Sequence, residues 1–101
     1  MYYVTYRNVL RPRASIDDYR KGLANVWPTL ASWGAVSVEM YQELYDESGA
    51  FFTRYNIESL DKWNVHVTSD EFNGMLKHLE SILDLSMSEV TVAVSMDTGI
   101  A

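Results

Sequence analysis

The sequence of 101 residues contains no cysteine, only two prolines and only two histidines. Without cysteine there can be no disulfide and no thiolate metal site, so packing alone has to hold the core together. No apolar run approaches the roughly 20 residues of a membrane-crossing helix, and the N-terminus lacks the basic and apolar regions of a signal peptide. We therefore expect one cytoplasmic domain spanning residues 1–101, with no membrane partner.

Basic residues are also scarce, with 8 lysines and arginines against 14 acidic residues and a net charge of −6. Nucleic acid is therefore an improbable partner, because phosphate binding usually needs a basic surface. The basic residues gather near the beginning of the chain, at Arg7, Arg11, Arg13, Arg20 and Lys21. A solvated loop and helix face explains such a cluster. The alternative is a positive rim that attracts an anionic head group, such as a carboxylate, to a pocket mouth.

Four segments alternate between apolar and polar residues or are rich in β-branched and aromatic residues, which predicts strands. They are Tyr2–Leu10, Ala35–Tyr45, Ala50–Glu58 and Ser88–Met96. The turn-forming residues 46–49 lie between the second and third segments and predict a hairpin.

Helical spacing of apolar residues occupies the two intervals between these strands. The first helix is predicted to begin at Ile16 and to continue to Trp33, with Pro28 kinking or breaking it near Trp27. In the second interval Ser59 and Ser69 are both suited to be N-caps, which predicts two short abutting helices between residues 56 and 83.

The predicted order β-α-β-β-α-β is that of a ferredoxin-like α+β domain, a four-stranded antiparallel sheet with helices on one face. Helices can cover only one face of the sheet. The uncovered face is too aromatic for a solvent surface and predicts a homodimer with its sheets face to face, in which Arg7 or Arg54 could pair with Glu39. This face carries Tyr3, Thr5, Arg7, Glu39, Tyr41, Phe52, Arg54 and Ala93.

Two stretches resemble a known family. Residues 58–72, which contain Trp63, His66 and Ser69, and residues 34–39 resemble the antibiotic-biosynthesis-monooxygenase branch of the dimeric α/β-barrel superfamily. The resemblance implies a dimer with a mainly apolar cavity between sheet and helices in each subunit. The superfamily includes cofactor-free oxygenases, polyketide cyclases, haem-degrading enzymes, lactone isomerases and non-catalytic ligand binders, so the resemblance implies no single reaction.

The resemblance also singles out three residues as candidates for chemistry. His66 matches the helix histidine of the family and could be a general base, although it could equally be a helix-flank histidine bonded to a backbone carbonyl. Asn8 resembles the first-strand asparagine of the haem-degrading branch, and Trp63 lies near the functional tryptophan of that branch. The axial histidine of that branch would fall near Leu76, whereas His78 is about 160° away around the helix, so we expect neither haem nor another cofactor nor a metal.

Two functions from different classes follow from these residues. The first is binding of a small hydrophobic or amphipathic molecule, fatty-acid-like or aromatic polyketide-like, with enzymatic activity left open. The second is a cofactor-independent monooxygenase or polyketide cyclase in which His66 is the general base and Asn8 or Trp63 holds the oxyanion. The predicted cavity residues are Val4, Tyr6, Asn8, Val38, Met40, Tyr55, Trp63, His66, Phe72, Met75, Leu76 and Val92, with Tyr41 as a further hydroxyl donor.

Overall fold

The helices and strands follow one another in the order that the sequence predicts, in a computed structural model that describes residues 1–100. They are β1 (Tyr2–Asn8), α1 (Ile16–Ser32), β2 (Ala35–Gln42), β3 (Phe51–Ile57), α2 (Leu60–Val67), α3 (Asp70–Leu79) and β4 (Glu89–Val94). A short 3-10 helix, Leu85–Met87, precedes β4. No helix within residues 1–100 is both long enough and apolar enough to cross a bilayer.

The four strands form one antiparallel sheet in the order β2-β3-β1-β4. Val4 at the centre of β1 lies between Tyr55 of β3 and Val92 of β4. A buried cluster joins the inner face of this sheet to α1 and α2, and it comprises Val4, Leu30, Trp33, Ala35, Tyr55, Ile57 and Trp63. The ferredoxin-like α+β fold is therefore confirmed.

Each strand is shorter than its sequence pattern predicts. β1 ends at Asn8, and Leu10 makes only an isolated bridge with Leu83. β2 ends at Gln42, three residues before Tyr45, whose backbone is left-handed with φ 64° and cannot continue a strand. The alternation of side chains therefore extends further along the sequence than the hydrogen-bonded ladder does.

Alternation with Val38 would place Val36 on the inner face of the sheet, but a β-bulge in β2 changes the facing of its first residues. Ala35 pairs with Ile57 and Ser37 pairs with Asn56, so Val36 is an extra residue without a partner. Ala35 is buried while Val36 is 53% exposed. Ala35, not Val36, therefore shares the inner face with Val38.

Helix α1 is continuous from Ile16 to Ser32, so of the predicted kink or break at Pro28 the break is wrong. Its start is fixed by a capping box, in which the Asp18 N–H donates to Ser15 Oγ and the Ser15 N–H donates to Asp18 Oδ2, both at 3.1 Å. Proline removes only one helical hydrogen bond, and the turn beyond it is anchored by the buried Leu30. Packing after Pro28 therefore keeps the helix together.

The outer face of the sheet carries ion pairs within one chain. Arg54 Nη2 lies 2.9 Å from Glu39 Oε1, and Arg7 pairs with Glu43 at 2.8 Å and with Asp46. Arg7 therefore does not pair with Glu39, and Arg54 reaches Glu39 without a second subunit.

Candidate ligand-binding cavity

A cavity of about 490 Å³ lies between the inner face of the sheet and the helices. Its walls come from β1, β3 and β4 on the sheet side and from all three helices on the other side. Nine of the sequence-predicted cavity residues line it, namely Val4, Tyr6, Asn8, Tyr55, Trp63, Phe72, Met75, Leu76 and Val92. The volume lies within the range of small-molecule sites.

The cavity wall also contains residues that the sequence analysis did not assign to it. These are Tyr19, Val26, Leu30, Asn64, Val67, Leu79, Leu83, Leu85, Ser88 and Val90. Tyr19, Val26 and Leu30 belong to the apolar stripe of α1 and Leu79 belongs to that of α3, so the helical spacing already contained the signal for these four. Ser88 gave no such signal, because it precedes β4 and belongs to no helical stripe.

A buried polar cluster forms one part of the wall. The Tyr19 hydroxyl lies 2.6 Å from Thr53 Oγ1, and Asn8 Nδ2 donates to the same Thr53 oxygen at 3.3 Å. Asn8 and Thr53 are both almost fully buried. Buried polar groups are stable when they satisfy one another, and this cluster places an asparagine amide beside an otherwise apolar space.

The tyrosines of the cavity wall are held in the neutral form. Burial, together with the smaller effect of the neighbouring Tyr19, raises the pKa of Tyr6 to about 12. Burial also raises the pKa of Tyr19 and of Tyr55 above the ordinary value. Neutral phenols can donate a hydrogen bond to a ligand oxygen but are poor proton acceptors near neutral pH.

Ser88 has a buried hydroxyl with no hydrogen-bond partner among residues 1–100. It lies in the cavity wall. An unsatisfied buried polar group is unfavourable, by about 1–3 kcal/mol. Rotation of this side chain, so that its hydroxyl bonds a ligand atom in the cavity, would remove that penalty.

Charged side chains are absent from this cavity wall in the part of the chain that the structure describes. Bringing an ionised group into an apolar space without a counter-ion is strongly unfavourable. The cavity therefore suits a molecule whose enclosed part is apolar and whose enclosed oxygens are uncharged.

Three of the predicted cavity residues lie elsewhere. The imidazole of His66 stacks on Trp33, with ring centroids 5.1 Å apart and planes 2° apart, and it is not part of the cavity wall. Val38 packs against the main core cluster, and Met40 packs against a second cluster around Tyr19 and Phe51. These side chains fill the core beneath or beside the cavity.

Tyr41 also lies away from the cavity. It pairs with Phe52 in the β2–β3 ladder, and its hydroxyl donates to Glu39 on the outer face of the sheet. It therefore cannot donate to a ligand enclosed on the inner face.

The cavity is open beside β4. All six residues of this edge strand are exposed, including the inward-facing Val90, Val92 and Val94. Val90 and Val92 line the cavity, so a ligand can enter from this side.

The basic residues near the start of the chain do not form one rim around this cavity. Arg7 is paired on the outer face and Arg20 pairs with Asp17 at 3.1 Å. Arg11, Arg13 and Lys21 line a second cavity, of about 720 Å³, which shares no lining residue with the first. Of the two interpretations of this cluster, a positive rim at the apolar pocket mouth is therefore wrong.

Comparison with solved structures gives matches over almost the whole chain. SnoaB, a cofactor-independent oxygenase from Streptomyces nogalater, is 13% identical with a TM-score of 0.73, and the match covers 97% of this chain and 95% of that chain. Rv0793 from Mycobacterium tuberculosis is 21% identical with a TM-score of 0.69 and 98% of each chain covered. An antibiotic biosynthesis monooxygenase is 12% identical with a TM-score of 0.69, covering 96% of this chain and 100% of that chain. This chain has their fold.

The resemblance to the antibiotic-biosynthesis-monooxygenase branch is thus confirmed at the level of the fold. No protein-family model matches the sequence, and no curated protein matches it. At identities this low the shared fold does not determine a reaction.

Proposed function

We propose that this protein binds a small hydrophobic molecule with uncharged oxygen atoms, of the aromatic polyketide-like class, in the cavity between sheet and helices. The single observation that carries the proposal is the wall of this cavity, which is apolar except for neutral hydrogen-bonding groups. The polar groups are those of Tyr6, Asn8, Tyr19, Tyr55, Asn64 and Ser88.

The chemistry of this wall favours one of the two ligand classes that the sequence left open. A flat polycyclic molecule with ketone or hydroxyl oxygens could use the buried amide of Asn8 and the hydroxyl of Ser88. A fatty-acid-like molecule fits only if its carboxylate stays outside, beside β4, because no cation lines the cavity within residues 1–100. The wall therefore favours the uncharged aromatic class.

Ligand pairs of similar size and shape, one neutral and one anionic, test this proposal. Titration of the protein with anthrone and with anthracene-9-carboxylate, followed by quenching of tryptophan fluorescence, should give clearly tighter binding of anthrone, since Trp63 lines the cavity. Hexadecanol and palmitate form a second pair with the same expected order. Equal or tighter binding of anthracene-9-carboxylate would refute the neutral site, and binding of none of the four would refute the cavity as a ligand site.

A second candidate function is a cofactor-independent monooxygenase or polyketide cyclase. It is supported by the likeness to SnoaB, a cofactor-independent oxygenase. His66, the general base of the sequence hypothesis, is stacked on Trp33 outside the cavity wall. The wall itself offers only phenols with raised pKa values as proton acceptors, so the geometry supports binding better than catalysis.

The oxidation of anthrone tests this second candidate. An oxygenase would convert anthrone and dioxygen to anthraquinone and water, which is followed by absorbance and by oxygen consumption. A rate above that of the buffer establishes turnover, and its loss in His66→Ala would place His66 in the reaction. A rate equal to that of the buffer leaves the protein as a binder of this ligand class.

We further propose that the protein is a homodimer through the outer faces of its sheets. Tyr3, Tyr41 and Phe52 lie on this face, and the Arg54 guanidinium lies 4.7 Å from the Tyr3 ring and 5.6 Å from the Tyr41 ring. A second copy would cover these aromatic rings.

Sedimentation analysis at micromolar concentration tests the dimer. The native chain should have twice the monomer mass of 11.6 kDa, and Phe52→Lys should sediment as a monomer. Leu44→Lys is the control, because Leu44 is an exposed apolar residue beyond the end of β2. A monomeric native chain would refute the proposal.

A further inference from the structure

The second cavity is lined by charged side chains, whereas the first is lined by apolar and neutral ones. It lies between the loop that follows β1, the first half of α1 and the end of α3, and we call it the basic cleft. It is lined by Arg11, Pro12, Arg13, Ala14, Asp18, Lys21, Gly22, Asn25, His78, Ser81 and Ile82. We propose that the basic cleft binds a phosphate ester of a polyhydroxylated small molecule, such as a sugar phosphate.

The charge of the basic cleft is exceptional for this chain. The protein has a net charge of −6, yet Arg11, Arg13 and Lys21 face one cleft whose only acidic residue is Asp18. The Asp18 carboxylate already accepts the backbone N–H of Ser15. The cleft therefore has a local excess of positive charge in an acidic protein.

The three cations are not neutralised by the protein. Among residues 1–100, no salt bridge involves Arg11, Arg13 or Lys21, whereas the other arginines, Arg20 among them, are all paired with carboxylates. Cations held together without counter-ions repel one another. An anion in the cleft would remove that repulsion.

Arg11 is positioned by the end of α3. Its backbone N–H donates to the Ile82 carbonyl at 2.9 Å, and its side-chain Nε donates to the Glu80 carbonyl. These bonds give Arg11 a structural role, because they satisfy backbone carbonyls after α3. They give no such role to Arg13 or Lys21. They also hold the Arg11 guanidinium at the cleft, where its two terminal nitrogens can still donate to a ligand.

The mixture of cations fits a phosphate group. Arginine presents planar forked donors that match phosphate oxygens, and lysine adds a compact point charge. Three positive charges opposed by one carboxylate suit a dianion better than a single carboxylate ligand.

The other lining residues of the basic cleft indicate the chemistry of the ligand beyond its phosphate group. At about 720 Å³ the cleft is much larger than a phosphate ion. No phenylalanine, tyrosine or tryptophan lines it within residues 1–100, so it lacks the large aromatic rings on which nucleobases most often stack. The Asn25 amide can donate and accept, and Ser81 Oγ, which donates to the His78 carbonyl at 3.2 Å, can accept from a ligand hydroxyl.

Isothermal titration of the intact chain with fructose 1,6-bisphosphate, glucose 6-phosphate and glucose tests the proposal. Both phosphates should bind and glucose should not. Lys21→Gln and Arg13→Gln should each weaken phosphate binding about tenfold, as expected for loss of a charge-assisted hydrogen bond. Raising the salt concentration should weaken binding by the native chain.

Lys77→Gln is the matched control, because Lys77 is exposed on α3 beside His78, outside the cleft wall and without a salt bridge within residues 1–100. It removes the same charge and should leave phosphate affinity within about twofold. An equal loss in Lys77→Gln, or equal binding of glucose, would overturn the proposal. Binding to phosphatidylglycerol vesicles without binding of either soluble phosphate would also overturn it, in favour of a lipid surface.

Discussion

The imidazole of His66 lies flat on the indole of Trp33, with 5.1 Å between the ring centroids. Trp33 is almost completely buried at the end of α1. This stacking joins α2 to the end of α1. The histidine that the family resemblance marks as a catalytic base therefore has a structural partner outside the ligand cavity.

The first prediction is that His66→Ala lowers stability but not ligand affinity. Loss of the stacked ring should reduce the free energy of unfolding by about 1 kcal/mol, measured by urea denaturation. The affinity for anthrone should stay within about twofold, because His66 is not in the cavity wall. A large loss of anthrone affinity in a variant that remains folded would show that His66 belongs to the binding site.

The second prediction concerns the open side of the cavity. Val92→Trp should block the cavity and abolish anthrone binding, since Val92 lines the cavity and is half exposed on the edge strand. Val94→Trp is the control, because Val94 has similar exposure on the same face of β4 and lies outside the cavity wall. Equal affinity in the two variants, measured by fluorescence titration, would contradict an entrance beside β4.

The third prediction separates binding from stability at Ser88. Ser88→Ala removes a buried hydroxyl that has no partner within residues 1–100, so the unliganded protein should be as stable as the native chain or more stable, by up to about 1 kcal/mol. Affinity for anthrone should fall about fivefold if this hydroxyl bonds the ligand oxygen. Ser86→Ala, an exposed site outside the cavity wall, should leave affinity unchanged; unchanged affinity in Ser88→Ala itself would exclude this contact.

The fold could be predicted from the sequence because each strand and each helix has its own local pattern of residues. Alternation defined the strands, and the serines at 59 and 69 defined the two short helices, where each accepts a backbone N–H as an N-cap. The bulge at Val36 could not be predicted from alternation, because an extra residue shifts the facing of a strand without changing its composition.

The candidate site could be predicted only in part. Val4, Tyr6 and Val92 lie on the inner faces of their strands, so period-two alternation was sufficient to place them in the cavity wall. The position of His66 depends on how α2 packs on Trp33, which is a tertiary contact between distant residues. The unpartnered state of Ser88 depends on its whole surroundings and has no signature in sequence.

The fourth prediction is a pH dependence of stability that arises at Glu39. Hydrogen bonds from Tyr41, Asn56 and Arg54 lower the pKa of Glu39 from 4.5 to about 2. Because the folded pKa is depressed, its stabilisation is present above pH 4.5 and is lost as the pH falls towards 2.

Thermal unfolding between these two pH values measures this effect. Glu39→Gln should show a smaller fall in the unfolding temperature than the native chain. Glu47→Gln is the control, because Glu47 is exposed and forms no salt bridge within residues 1–100, and it should follow the native curve. Identical curves for the native chain and Glu39→Gln would contradict the assignment.

The central claim is that the space between the sheet and the helices is a ligand site for an uncharged hydrophobic molecule. A crystal structure of the protein after co-crystallisation with anthrone tests it most directly. The claim predicts density for the rings between Val4 and Leu76, with the ligand oxygen within hydrogen-bond distance of Tyr6, Asn8 or Ser88. A cavity filled by the protein's own side chains, or anthrone bound only outside it, would contradict the claim.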